Sequence, residues 1–351
     1  MRTIQEMMAE TIGRNASDLF ITVGVPPVMK IGGELVPVGE EPLRPEDTES
    51  MVRALLPHDD DLIAFSRMGE KDFSVSLPGI GRFRVNAFLQ RGSMALSIRR
   101  IYTTLPDPDA LGIPPVVMDL TRRTKGLVLV TGPTGCGKTT TLAAMIDRLN
   151  HQRSCHILTL EDPIEYLHSH GKSLVNQREI GTDSGNYASA LRAALRQSPD
   201  VILIGEMRDL ETIAIALTAA ETGHLVLSTL HTIGAAKTID RIIDVFPPSQ
   251  QQQIRVQLST VLQAVVSQQL VPAAEGDLRP AFEIMLVNGA IRNMIREGKT
   301  PQIDNVIQTG GPAGMTTMDM SLAELVRSGA VLRDEALIHC VSPDALARYL
   351  G

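Results

Sequence analysis

The sequence predicts an α/β protein: a small α+β domain followed by a large parallel sheet with helices on both faces. Three observations carry this expectation. Apolar runs alternate with helical segments after Lys125, a proline-rich stretch divides the chain between Leu105 and Pro115, and short extended runs punctuated by Pro and Gly fill the part before it. With 351 residues and 43% hydrophobic content, the chain is long enough to bury the cores of two domains.

The first domain is placed at residues 1–102. A short helix from Ile4 leads to extended runs at Leu19 to Val23 and Val28 to Ile31, broken by Pro26, Pro27, Gly32 and Gly33. Further on, apolar Phe83, Val85 and Ala87 alternate with polar Arg82, Arg84 and Asn86, the pattern of a strand with one wet face. A second strand, Met94 to Ile101, is expected to pair with it. Residues 103–115 form the linker, where four prolines and a glycine disfavour continuous regular structure.

The second domain, 116–351, opens with the buried strand GLVLVT (126–131) and a helix that gathers Leu142, Met145, Ile146 and Leu149 on one face. HILTL (156–160), VILI (201–204) and LVLSTL (225–230) are three more strands, and Asp209 is the N-cap of a helix with Ile213, Leu217 and Ala220 in register. Residues 249–351 read as mostly helical. There Ile254, Leu258, Leu262 and Val265 share a stripe behind a solvated first turn, Gln250 to Gln253.

Composition excludes several function classes. A net charge of -7 leaves no global basic field to hold a nucleic-acid backbone, and 3% aromatic content offers little for base stacking, so no nucleic-acid partner is expected. Cys136, Cys155 and Cys340 are scattered and show no CxxC spacing, so neither a disulfide framework nor a four-cysteine zinc site is expected and the chain reads as intracellular. The N-terminal segment lacks the apolar core of a signal peptide, and no apolar run approaches the roughly 18 residues that span a bilayer. Any membrane role is expected to be indirect.

The sharpest signal is the run Gly132, Pro133, Thr134, Gly135, Cys136, Gly137, Lys138, Thr139, which fits G-x4-G-K-[ST] between a strand and a helix. Glycines let successive backbone N–H groups turn toward a phosphate, and the helix N-terminus adds its dipole. Lys138 supplies a mobile cation for β- and γ-phosphates, Thr139 a hydroxyl for Mg²⁺, and Thr140 completes the nucleotide-binding run. The position of Cys136 near a helix N-terminus is one that can depress a thiol pKa, although it mainly calls for a small side chain.

Ligands of an open parallel sheet collect beyond the carboxyl ends of its strands. The four strands here end at the phosphate loop, at Glu161-Asp162, at Gly205-Glu206 and at His231. Gly205 stands where an ordinary Walker B strand has Asp, so Glu206 is assigned to Mg²⁺ and its water shell, and Glu161 to polarising the attacking water. The alternatives are an ion pair of Glu206 with Arg208 and a helix-capping role for Glu161. His231 is read as a hydrogen-bond contact to the γ-phosphate, against a structural histidine. His224 starts the same strand about 23 Å away and is read as structural or as a subunit contact. Phosphoryl transfer needs more positive charge than Lys138 provides, and Arg82, Arg84, Arg91, Arg99 and Arg100 of the first domain are a candidate source, against the alternative of a solvated strand face.

Taken together, GPTGCGKTT, ILTLEDPIEY, SPDVILIGEMRD and GHLVLSTLHT, in this order and spacing, resemble the four sequence boxes of the secretion superfamily ATPases. The likeness covers essentially the whole chain and is greatest to the branch that retracts type IV pili. It implies a PAS-like N-terminal domain on a RecA-like P-loop core, a helical C-terminal region, and a homohexamer that hydrolyses ATP with Mg²⁺. It also implies work at the cytoplasmic face of the inner membrane on a pilus platform protein, with Arg84 and Arg99 as the arginine fingers. The segment AIRNMIRE (290–297) is similar to a helix of that branch, whereas the four-cysteine zinc insertion of extension and type II secretion ATPases is missing. A paralogous accessory ATPase, a nucleic-acid translocase on the same core, and an adaptor that binds ATP without turnover are the rival readings.

Overall fold

The computed structural model describes residues 2–351 apart from Pro57, Thr103, Thr104, Pro106, Asp277 and the side chain of Asp59. The chain divides into two compact units, one holding residues up to 104 with 165–167, the other 105–164 with 168–351.

The first unit is an α+β domain. It runs α1 (Ile4–Gly13), β1 (Asp18–Ile21), β2 (Val28–Ile31), β3 (Glu34–Pro37), α2 (Pro45–Leu55), α3 (Asp59–Met68), β4 (Glu70–Leu77), β5 (Gly81–Gln90) and β6 (Ser93–Ile101). The strands form one antiparallel sheet in the order β3-β2-β1-β6-β5-β4. Phe83, Val85 and Ala87 are fully buried with Leu19, Ile21 and Ile98, so the alternation read from the sequence is the inner face of β5. β5 and β6 pair as expected, with Arg84 directly opposite Arg99. The run at Leu19 leaves the ladder after Ile21, ahead of a turn in which Gly24 has φ 89°.

The second unit continues with α4 (Pro115–Asp119), β7 (Gly126–Thr131), α5 (Lys138–Gln152), β8 (His156–Glu161), β9 (Leu174–Glu179), α6 (Tyr187–Ala194), β10 (Val201–Ile204), α7 (Leu210–Glu221) and β11 (Leu225–Leu230). After these come α8 (Ala235–Asp244), α9 (Pro248–Val261), β12 (Leu262–Pro272), β13 (Leu278–Leu286), α10 (Gly289–Glu297), α11 (Ile303–Thr309), α12 (Met318–Arg327), α13 (Arg333–His339) and α14 (Pro343–Leu350). Its sheet has the order β13-β12-β7-β11-β10-β8-β9, parallel throughout except for β13. Every residue of β7, β10 and β11 is buried, and separate apolar clusters cover the two faces, as a sheet sandwiched by helices requires. Asp209 does cap α7, accepting from Thr212 N–H at 2.8 Å.

The C-terminal stretch corrects one expectation. Ile254 and Leu258 lie on α9, but Leu262 begins a strand and Val265 sits inside it. β12 lies between β7 and β13 and is buried on both faces, so its side chains show no alternation and its apolar residues continue the helical stripe by coincidence. After β13 the chain is helical. Part of the expected linker, Thr103, Thr104 and Pro106, lies outside the described residues, and Pro115 already starts α4.

Candidate functional site

Parallel registry brings four strand ends to one edge of the large sheet. Thr131 of β7 lies opposite Leu230 of β11, while Ile204 of β10 lies opposite Leu160 of β8 and Ser228 of β11. The phosphate loop, Glu161, Glu206 and His231 follow directly from these residues.

The loop is shaped by backbone that only glycine adopts without strain: Gly132, Gly135 and Gly137 have φ of 140°, 80° and 86°. A Cβ on Gly132 would lie 2.1 Å from the Gln268 carbonyl oxygen, and one on Gly137 would lie 2.9 Å from Gln268 Nε2. Gly137 caps α5 without a side-chain hydrogen bond, a helix N-terminus of the kind whose N–H groups and dipole suit an anionic ligand. Lys138 is buried over the loop, where Nζ donates to the carbonyls of Gly132 at 2.9 Å and Pro133 at 2.8 Å. Thr134 is exposed, and Thr139 and Thr140 are half-buried in the first turn.

Cys136 departs from one expectation. It is buried, and burial pushes its thiol up despite Lys138 and the helix N-terminus. At pH 7.5 it should therefore react with iodoacetamide more slowly than a free thiol in the same buffer. Alkylation of Cys136 at the free-thiol rate, read by mass spectrometry, would contradict this.

Glu161 ends β8 with its carboxylate buried. Oε1 accepts from Thr159 Oγ1 at 2.6 Å and from Gln177 Nε2 at 3.1 Å, and no helix begins at this strand end, so the capping role does not apply. The ion-pair alternative for Glu206 is present, with Arg208 Nε 2.7 Å from Oε2. The same oxygen lies 3.3 Å from His231 Nε2, and His231 Nδ1 lies 3.5 Å from Thr134 Oγ1. His231 thus bridges the phosphate loop and the carboxylate after β10. Beside it, Glu206, Arg208, Leu230, His231 and Arg241 line a hollow of about 420 Å³. His224 is at the far end of β11, its ring bonded to the Ala219 carbonyl at 2.9 Å, and does not join this group.

Tyr187 escaped the sequence reading. It opens α6 behind the Asn186 cap, and its hydroxyl reaches the strand ends. Burial, with Asp162, Glu206 and Glu161 nearby, pushes the phenol well above its ordinary range, so it remains a neutral donor among three carboxylates. The same hydroxyl explains Gly205, where a Cβ would lie 2.7 Å from it and 3.3 Å from the Leu160 carbonyl. Gly205→Asp, which restores an ordinary Walker B residue, should therefore cost about 1–3 kcal/mol from overpacking. Urea unfolding checks this, and Tyr187→Phe in the same background should recover part of the loss.

In the first unit, Arg84, Arg99, Asp72, Asn86 and Ser97 line a polar hollow of about 210 Å³. Arg99 Nε donates to Asp18 at 2.8 Å, whereas Arg84 makes no ion pair among the described residues.

A family model for "Type II/IV secretion system protein" matches residues 46–311. The Pseudomonas aeruginosa type IV pilus retraction ATPase PilT is 47% identical over 333 residues, covering 95% of this chain and 96% of its own. A Neisseria gonorrhoeae twitching motility protein is 47% identical over 311 residues, covering 88% of this chain and 83% of its own. The crystal structure of the pilus retraction motor PilT with bound ADP superposes with a TM-score of 0.93 at 45% identity, covering 99% of this chain and all of that one. The fold is accordingly a RecA-like core with a separate N-terminal domain, and the chain belongs to the type II/IV secretion system protein family.

Proposed function

We propose that this protein is an Mg²⁺-dependent ATPase that works as a homohexameric motor at the cytoplasmic face of the inner membrane, retracting a type IV pilus through its platform protein. The observation that carries the reading is the chain of contacts from the phosphate loop through His231 to Glu206. The 47% identity to PilT across nearly the whole chain supports the pilus as the machine it serves.

Gly132 to Thr140 bind the triphosphate through backbone N–H groups, with the Lys138 ammonium moving from loop carbonyls to the phosphates. The Thr139 hydroxyl and the Glu206 carboxylate are hard oxygen donors of the type Mg²⁺ takes and would hold it, and the ion would supply neutralisation of phosphate charge. Glu161, held by Thr159 and Gln177, orients the attacking water and receives its proton. His231 donates to the γ-phosphate, as its place between Thr134 and Glu206 supports.

Arg84 and Arg99 supply further positive charge to the transferring phosphate in the assembled ring, as the family resemblance implies. Losing one charge-assisted hydrogen bond of about 1.5–3 kcal/mol corresponds to roughly 10- to 100-fold in rate. Arg84→Ala should show this loss in kcat, and it should exceed that of Arg99→Ala because Arg99 is tethered to Asp18. Equal and unchanged turnover in both variants would remove the arginines from the site.

The domains 1–102 and 116–351 convert hydrolysis into movement through the linker at 103–115. On α10, Ile291 and Ile295 are buried while Asn293, Arg296 and Glu297 face solvent, which supports an outward docking role for AIRNMIRE. No helix among the described residues is long and apolar enough to cross a membrane. Deleting the gene tests the reading: hyperpiliated cells without twitching support retraction, and bald cells contradict it. Single-stranded DNA should leave the ATPase rate unchanged.

A further inference from the structure

Consecutive residues of β12 serve different parts of the second unit. Side chains alternate between the two faces of a strand, so Ser267 and Gln268 address opposite sides of the sheet. Gln268 lies on the side of α5. It is buried, its Oε1 accepts from Thr141 Oγ1 at 2.8 Å, and its main chain and amide fill the spaces that Gly132 and Gly137 leave open. Residue 268 thus packs against two of the three loop glycines, through its main-chain carbonyl at Gly132 and through its side-chain amide at Gly137.

Ser267 lies on the other side, under the segment that runs from His231 to α8. It is fully buried, and its Oγ accepts from Gly234 N–H at 3.0 Å. Directly across the ladder stands Glu283 of β13, also buried, whose Oε1 accepts from Ala235 N–H at 2.8 Å. Burial pushes the Glu283 carboxyl up, while main-chain bonds from Ala235 and Met318 act in the opposite direction, so Glu283 serves the N-termini of α8 and α12 together. Thr238 ties the same segment from within: its hydroxyl donates to the Gly234 carbonyl at 2.8 Å and so accepts from Thr232 Oγ1 at 2.7 Å. Gln269, next along the strand, meets the His339 carbonyl of α13 at 3.4 Å.

We propose that β12 is a common frame for the two halves of the site. Gln268 is a positioning residue for the phosphate cradle, while Ser267 and Glu283 are positioning residues for the segment that carries His231, and the rigid strand holds the two in register. None of the three touches nucleotide in this account. They act by fixing backbone: Gln268 against the glycines of the loop, Ser267 and Glu283 on two successive N–H groups that start α8. The proposal rests on the reading of His231 as a γ-phosphate contact.

The two arms separate kinetically. ADP has no γ-phosphate, so ADP affinity reports the cradle alone, and kcat at saturating ATP reports the His231 side. The full-length chain is titrated with fluorescent ADP and assayed for ATP turnover. Gln268→Leu should raise the ADP Kd about tenfold, the loss of one buried hydrogen bond and its packing. Thr141→Val removes the same bond from the other partner, and the double variant should add little to either. Ser267→Ala combined with Glu283→Ala should lower kcat about tenfold or more with ADP Kd within twofold. Glu283→Gln keeps an acceptor for Ala235 N–H and should retain kcat within threefold, which a general loss of stability would not allow.

Parallel losses of ADP affinity and kcat in the Ser267 and Glu283 variants overturn the proposal, as does an unchanged ADP Kd in Gln268→Leu. His231→Ala distinguishes the two levels. If it lowers kcat while the Ser267 and Glu283 pair does not, the frame fails and the site reading stands. If it leaves kcat intact, the reading of His231 fails together with its half of the frame, and the ADP titration decides the cradle half by itself.

Discussion

Glu161→Gln should lower kcat for ATP by about 10²–10⁴-fold, the contribution of a positioned general base, with ADP affinity nearly unchanged. Gln has the shape of Glu and retains an acceptor for the Thr159 hydroxyl, so the carboxylate's environment is disturbed little. What is lost is the capacity to take a proton from water. A separate control is Thr159→Val, which leaves the carboxylate in place but frees its orientation; it should reduce kcat by a smaller factor. Single-turnover measurements with excess enzyme read the chemical step without product release. If Glu161→Gln hydrolyses ATP at the unmodified rate, another group polarises the water, and Glu206 becomes the first to test.

Lys138→Ala should abolish most turnover as well, by at least roughly 10²–10³-fold, the loss associated with removing one preorganised donor from a site of developing charge. Here the loss should extend to binding, because in the proposed site the ammonium contacts phosphates before and during transfer. Arginine should not substitute: Lys138 is only 8% exposed and its Nζ, a compact point charge, donates to two carbonyls 2.9 and 2.8 Å away, a geometry the planar guanidinium fork does not reproduce. Those same carbonyls lose their partner in Lys138→Ala, so the unfolding midpoint is measured alongside the rate. An intact fold with lost turnover assigns the effect to the site rather than to stability.

The parallel core was legible because its strands are continuous apolar runs and its helices are amphipathic with conventional caps, as at Asp209. The placement of Glu161, Glu206 and His231 at one edge followed from strand ends alone, since parallel strands deliver their last residues to the same side. Residues that arrive from elsewhere were not legible. Tyr187 sits at the start of a helix, and nothing in its own neighbourhood announces three carboxylates. Gln268, Ser267 and Glu283 belong to strands hidden by double-sided burial, where period-two alternation vanishes. The pairing of β5 with β6 was foreseeable, but the opposition of Arg84 and Arg99 depends on a register that turn geometry decides. Gly205 read as a departure from a pattern; its cause is the hydroxyl of a residue 18 positions earlier in the sequence.

The central claim is that the phosphate loop, Glu161, Glu206 and His231 surround one Mg²⁺-bound triphosphate. A crystal structure of the full chain with Mg²⁺ and a non-hydrolysable ATP analogue tests it most directly. The account predicts the β-phosphate in the loop, Lys138 moved onto the phosphates, and His231 within hydrogen-bonding distance of the γ-phosphate. Triphosphate bound away from Gly132 to Thr140, or His231 still turned toward Glu206 with no phosphate contact in every subunit, would contradict it.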